Sequence, residues 1–219
     1  MSQFKTVSLI IISLSTVCSC AKLGMKMGFD VLNIDPPANE ATADETAKIN
    51  STLRRIEKIS KEAGSEIHLN LLPVVVTSAP MPSTTNLAYC TRDSAGNGSY
   101  IVISRQAFFQ ELENKRSSLI FGLLLHEVGH CYFHRNHDDR TVGKSGFSVE
   151  VEATDTEGSS KYTYDKLPLS VMTSRLRKFG TPKSLEKYYV QEMLGSVQLQ
   201  SSEDAEKIDG VKFVPLKSK

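Results

Sequence analysis

An α+β fold is the class this sequence predicts, and three observations carry it. A segment with helical periodicity opens the globular part at residues 43 to 63, and short β-branched segments follow between about 67 and 104. An apolar helix then runs into "LLLHEVGHCYFHRNHDDR", Leu123 to Arg140, which holds four of the five histidines. With 40% hydrophobic and 23% charged residues, the 219-residue chain has an ordinary globular composition and length enough for one sizeable core. A net charge of +1 leaves no basic stripe for a phosphate backbone, so nucleic acid is not an expected partner.

The chain opens on "MSQFKTVSLIIISLSTVCSC": one Lys, an apolar stretch from about Val7 to Val17, then small residues and cysteine. Residues 1–19 read as an export signal, because the apolar stretch is about half of what a helix needs to cross a bilayer. Val17-Cys18-Ser19-Cys20 resembles the cleavage box of bacterial lipoproteins, with Cys20 as the acylated residue. Residues 20–40 would then be a tether, holding the protein in the cell envelope, on a periplasmic or outer-membrane leaflet, without spanning the membrane. Cys90 and Cys131 would remain in an oxidising compartment, either joined as a disulfide or kept as two small buried apolar residues.

The domain proper is expected over residues 41–200. Thr42 and Glu45 form a capping box; Ile49, Leu53, Ile56 and Ala63 follow at helical spacing, and Gly64 offers a stop. Ile67, Leu69 and Leu71 alternate with polar residues, and Pro73 separates them from "VVVT", so one or two strands are expected there. "LAYCT" and "YIVIS", joined across the Gly/Asn-rich "RDSAGNGS", read as a hairpin, with "YIVIS" either an edge that accepts an extended peptide or an interior strand. Ser104 can cap a helix from Arg105 to about Asn114, and Ser117 can cap the next, which is apolar nearly all round and hence buried. Short strands at "FSVEV" and "KYTYD" precede a helix over Lys183 to Leu194, with Pro182 at its first position and Gly195 at its end. Residues 201–219 read as a polar tail.

The chemistry concentrates in the histidine cluster. His126 and His130 lie four apart on a helix, so their rings leave one face a turn apart and can reach a single ion. Glu127 beside them completes HExxH, in which two imidazoles bind Zn2+ and the carboxylate acts as general base toward a metal-activated water. A third ligand is needed, and His134, His137 and Asp138 are the candidates. His134 sits on the same helical stripe, too far along to close a tetrahedron, whereas His137 reaches back if the chain turns, for which Asn136 supplies a residue tolerant of left-handed backbone. His137 is the reading chosen. Asp138 or Asp139 could instead hold a ring nitrogen of a ligand.

The stretch "LIFGLLLHEVGHCYFHRNHDD", followed by "PLSVMTS" and "KSLEKYYVQEML", resembles a group of bacterial metallopeptidase-like proteins, many exported, with a pattern close to HELGHCxxxRxHxD. These are similar in turn to the metzincins. The resemblance, over about residues 98 to 195, implies a zincin-like domain in which a small mixed sheet packs on the active-site helix beside a smaller C-terminal subdomain. It implies His126, His130 and His137 as ligands, Glu127 as base, and Met172 in "SVMTS" as the methionine of the turn beneath the metal. Phe133 stands where metzincins carry Gly, His137 comes seven rather than six after His130, and Ser174 stands where some metzincins carry a metal-binding Tyr. Glu192 or Glu186 could serve as a downstream ligand of the gluzincin kind.

The activity expected is therefore zinc-dependent hydrolysis of a peptide or protein substrate. The alternative is a non-catalytic envelope lipoprotein that uses the same fold to bind a peptide or protein partner.

Overall fold

A computed structural model describes residues 32–33, 35–82, 86–92, 99–113, 119–155, 158–174 and 181–216. The export signal, Cys20 and the expected cap Ser117 lie outside the described residues. Among the described residues no helix is long and apolar enough to cross a membrane.

The first elements are a two-residue strand β1, Leu32–Asn33, and helix α1, Ala43–Glu62. The capping box forms as the sequence predicts: Thr42 Oγ1 accepts from the Glu45 N–H at 3.2 Å, and Glu45 Oε2 accepts from the Thr42 N–H at 2.8 Å. The helix stops at Gly64, whose φ of +83° an L side chain rarely adopts. Ile49, Leu53 and Ile56, one turn apart, face the core.

The alternating segment after α1 is not a strand. Leu69–Leu71 form a 3-10 turn, because the Glu57 carboxylate takes the Leu69 N–H at 2.6 Å, and Leu69 is buried while Leu71 is 80% exposed. Strand β2, Val74–Thr77, follows, then the hairpin of β3, Ala88–Arg92, and β4, Ser99–Ser104. The sheet order is β1-β3-β4-β2. β3 and β4 are antiparallel with Cys90 opposite Ile101, while β2 runs parallel to β4 and β1 parallel to β3, so the sheet is mixed. "YIVIS" is therefore an interior strand. Partners on both sides leave it no free edge for a peptide, and its Ile101, Val102 and Ile103 are fully buried, as the unbroken β-branched run requires.

Helix α2, Arg105–Glu113, leads to α3, Leu119–Cys131, in which every residue is buried. α3 packs on β3 and β4 on one side and on α1, α2 and a later helix on the others, so an apolar face all round is what its surroundings demand. A two-stranded sheet pairs β5, Thr141–Val142, with β8, Leu167–Pro168. Between them, β6, Phe147–Asp155, and β7, Gly158–Tyr164, form an antiparallel pair. Helix α4, Lys183–Met193, begins with Pro182 at the N-cap, one position earlier than expected, and ends before Gly195, at φ +73°.

The expected polar tail is structured. Ser202–Ala205 form a short helix α5 capped by Ser201, and β9, Val211–Pro215, pairs antiparallel with β6, with Val211 opposite Val151. Nor do these C-terminal elements have a core of their own: Val149, Val151, Tyr164 and Val211 belong to the same apolar cluster as Ile56, Leu124 and Val128. The fold is α+β: the four-stranded sheet packs on the buried helix α3 through β3 and β4, and β6 of the three-stranded sheet packs on α4.

Candidate metal centre

His126, Glu127 and His130 lie in the last turns of α3, all buried. Beyond Cys131 the helix stops and the backbone reverses. The turn is made by His134, at φ 53°, and not by Asn136 as the sequence suggested. His is one of the few non-glycine residues enriched in the left-handed region. The Arg135 N–H then returns to the Gly129 carbonyl at 2.9 Å, and the Asp138 N–H donates to the Met172 carbonyl at 2.7 Å. These two backbone bonds bring His137 back over the helix end.

The result is a tripod. The Nε2 atoms of His126 and His130 are 3.1 Å apart, those of His130 and His137 3.2 Å, and those of His137 and His126 3.3 Å. His134 points elsewhere, with its Nδ1 3.3 Å from Arg92 Nη2. Asp138 is bound by Arg140, and Asp139 accepts from Thr173 Oγ1 and from the Ser174 N–H and Oγ, tying the loop to the methionine turn. Among the described residues, these three histidines are the one group of potential ligands close enough to share an ion.

The tautomers favour a cation at the centre. His126 Nδ1 lies 2.8 Å from the Val171 carbonyl, and His130 Nδ1 lies 2.8 Å from the Arg135 carbonyl. A carbonyl only accepts, so both Nδ1 atoms carry the proton and both Nε2 atoms present lone pairs. Two lone pairs 3.1 Å apart repel each other unless something positive lies between them. A tetrahedral ion with zinc–nitrogen bonds of about 2.0–2.1 Å sets its ligand nitrogens ~3.3 Å apart, so the observed spacing fits the donor set. Burial drives the His126 pKa down to about 3, against the Val171 hydrogen bond, which keeps the ring in the neutral form that binds metals.

Glu127 follows His126 and is deeply buried. Burial pushes its carboxyl up to about 8, and the Cys90 backbone N–H, which donates to it, offsets this only in part. A cation in the tripod would act the other way and favour the carboxylate. That Cys90 donor is held in place covalently, because Cys90 of β3 and Cys131, the residue after His130, are joined as a disulfide. The bridge ties the strand that faces Glu127 to the end of the helix carrying His126 and His130.

Met172 is fully buried beneath α3, and Gly129 is the residue that makes room for it: a Cβ there would lie 2.2 Å from the Met172 sulfur. Neither downstream glutamate joins the tripod. Glu192 accepts from Arg135 Nη2 at 2.6 Å and from Ser170 Oγ at 2.8 Å, and Glu186 pairs with Arg55 of α1 at 2.5 Å. The carbonyls of Val171 and Arg135 and the N–H of Cys90 are functional groups that no side-chain pattern announces, since every residue carries them. The sequence offers Glu192 only as a possible downstream ligand and singles out neither Arg135 nor Ser170, the two side chains that hold it. Compared with known proteins, the chain matches no family model, no curated protein and no solved structure.

Proposed function

We propose that this chain is a zinc-dependent peptidase of the bacterial cell envelope, with a zincin-like, metzincin-type site on α3. The observation that carries the reading is the convergence of three Nε2 atoms at 3.1, 3.2 and 3.3 Å, two of them with their tautomers set by backbone carbonyls, next to a buried carboxylate. Zinc, when bound there, supplies a Lewis acid that polarises a peptide carbonyl and acidifies water. His126, His130 and His137 hold it. Glu127 takes the proton as the bond to carbon forms, and gives it to the departing amine. The Cys90 N–H and the disulfide keep that carboxylate in position. Met172 forms the floor against Gly129. The N-terminal signal and Cys20 support export and a lipid anchor, and the disulfide suits an oxidising compartment.

Metal analysis and proteolysis assays on the purified chain test this. About one zinc per chain and cleavage of fluorescently labelled casein are expected. Glu127→Gln should keep the metal and lose cleavage, and His126→Ala should lose both. A Glu127→Gln protein that still cleaves would remove Glu127 as the base. A folded parent that takes up no zinc would favour the non-catalytic lipoprotein that binds a peptide or protein partner.

A further inference from the structure

We infer that Glu192 is a positioning residue of the metal centre, acting through two side chains on the two carbonyls that orient the ligand rings. The inference rests on the reading of His126, His130 and His137 as a metal tripod. Glu192 lies on α4, is 8% exposed, and is not one of the three clustered ligand candidates. Its Oε1 accepts from Arg135 Nη2 at 2.6 Å, and its Oε2 from Ser170 Oγ at 2.8 Å. Ser170, fully buried, in turn accepts the Met172 N–H on its Oγ at 3.0 Å.

Val171, the residue enclosed by that Ser170–Met172 turn, presents its carbonyl to His126 Nδ1. Arg135, held by the other oxygen, presents its own carbonyl to His130 Nδ1. One carboxylate thus braces both of the groups that set ring orientation and tautomer. Charge-assisted bonds to a buried carboxylate are short and strong, which suits a brace. With both oxygens engaged by these donors, Glu192 is placed to support ligands and not to be one. Loss of such an outer partner of metal ligands ordinarily costs about 10–100-fold in metal affinity.

The test is zinc affinity of the full chain, measured by competition with a chelator, together with the visible absorption of the Co2+-loaded protein and circular dichroism. Glu192→Gln, which keeps the shape and loses the charge, should remain folded, bind zinc about 10–100-fold more weakly and change the Co2+ spectrum. Ser170→Ala, which cuts one arm only, should lose part of the affinity. The double variant should bind about as weakly as Glu192→Gln alone, because the arm that Ser170→Ala cuts is one of the two that Glu192→Gln already cuts. A residue that merely holds α4 in place would lower the melting temperature and leave the affinity and spectrum unmoved.

Parent-like zinc affinity, within threefold, in folded Glu192→Gln overturns the proposal; should that variant not fold, parent-like affinity and spectrum in Ser170→Ala overturn it equally. A parent indistinguishable from His126→Ala in zinc binding would instead bring down the tripod reading itself, and this inference with it.

Discussion

Replacing Gly129 by alanine would put a methyl carbon where the Met172 thioether sits. An ideal Cβ at Gly129 lies 2.2 Å from Met172 Sδ, 3.0 Å from Cε and 3.6 Å from Cγ. Ordinary contact requires about 3.5–4.0 Å, so the sulfur must retreat by well over 1 Å. It has little room to do so. Met172 is fully buried, its N–H is held by Ser170 and its carbonyl by the Asp138 N–H. Overpacking of this kind costs about 1–3 kcal/mol, against a gain of about 1 kcal/mol from placing Ala instead of Gly inside a helix.

The decisive quantity is therefore the coupling with position 172. Met172→Ala alone should cost about 2–5 kcal/mol through the cavity it leaves. In that background Gly129→Ala no longer meets sulfur and should become stabilising by about 1 kcal/mol, so the same substitution reverses sign. Urea denaturation of the parent, both single variants and the double variant, all with chelator present so that metal linkage does not contribute, measures this cycle. If Gly129→Ala stabilises the parent as much as it stabilises Met172→Ala, the contact between helix and turn is not what the geometry says.

Other expectations concern the supports of the site. Removing the bridge by Cys90→Ser with Cys131→Ser frees a link across 41 residues and should cost about 2–4 kcal/mol, read as a lower urea midpoint, with no effect of reductant on the variant. An unchanged midpoint would show that the bridge adds nothing. Thr42→Ala should cost about 1 kcal/mol by removing the cap of α1, and a loss near zero would mean the box is not formed in solution.

Glu45 has a pH signature as well. Burial raises its pKa, but the Thr42 N–H and the Arg105 guanidinium outweigh this and hold it below the ordinary Glu value. Its stabilisation is therefore present above the unfolded pKa, about 4.3, and is lost as pH falls through the lower folded value. The stability gap between parent and Glu45→Gln should be constant from pH 7 to 5 and close below about pH 4; a gap that widens in acid contradicts this.

What the sequence determined by itself was whatever depends on near neighbours in the chain. A spacing of four puts His126 and His130 on one helix face, Thr42 and Glu45 cap α1 three residues apart, and the short connection between "LAYCT" and "YIVIS" predicts the antiparallel pairing that β3 and β4 make. His137 was legible as a candidate, because seven residues allow one reversal, but the reversal falls at His134 and is secured by backbone bonds to Gly129 and Met172.

Tertiary structure alone decided the rest. The alternation from Ile67 to Leu71 is a sound strand signal, yet a carboxylate from α1 takes the Leu69 N–H that a ladder would have used. β4 is interior because β2 arrives parallel to it from a distant part of the chain, and residues 211–215 form a strand only because β6 offers them an edge. Most plainly, the rings of the tripod are aimed by the carbonyls of Val171 and Arg135, and those by Glu192 from a third element. Carbonyls are the same at every position, so only the packed chain can say which of them faces a histidine.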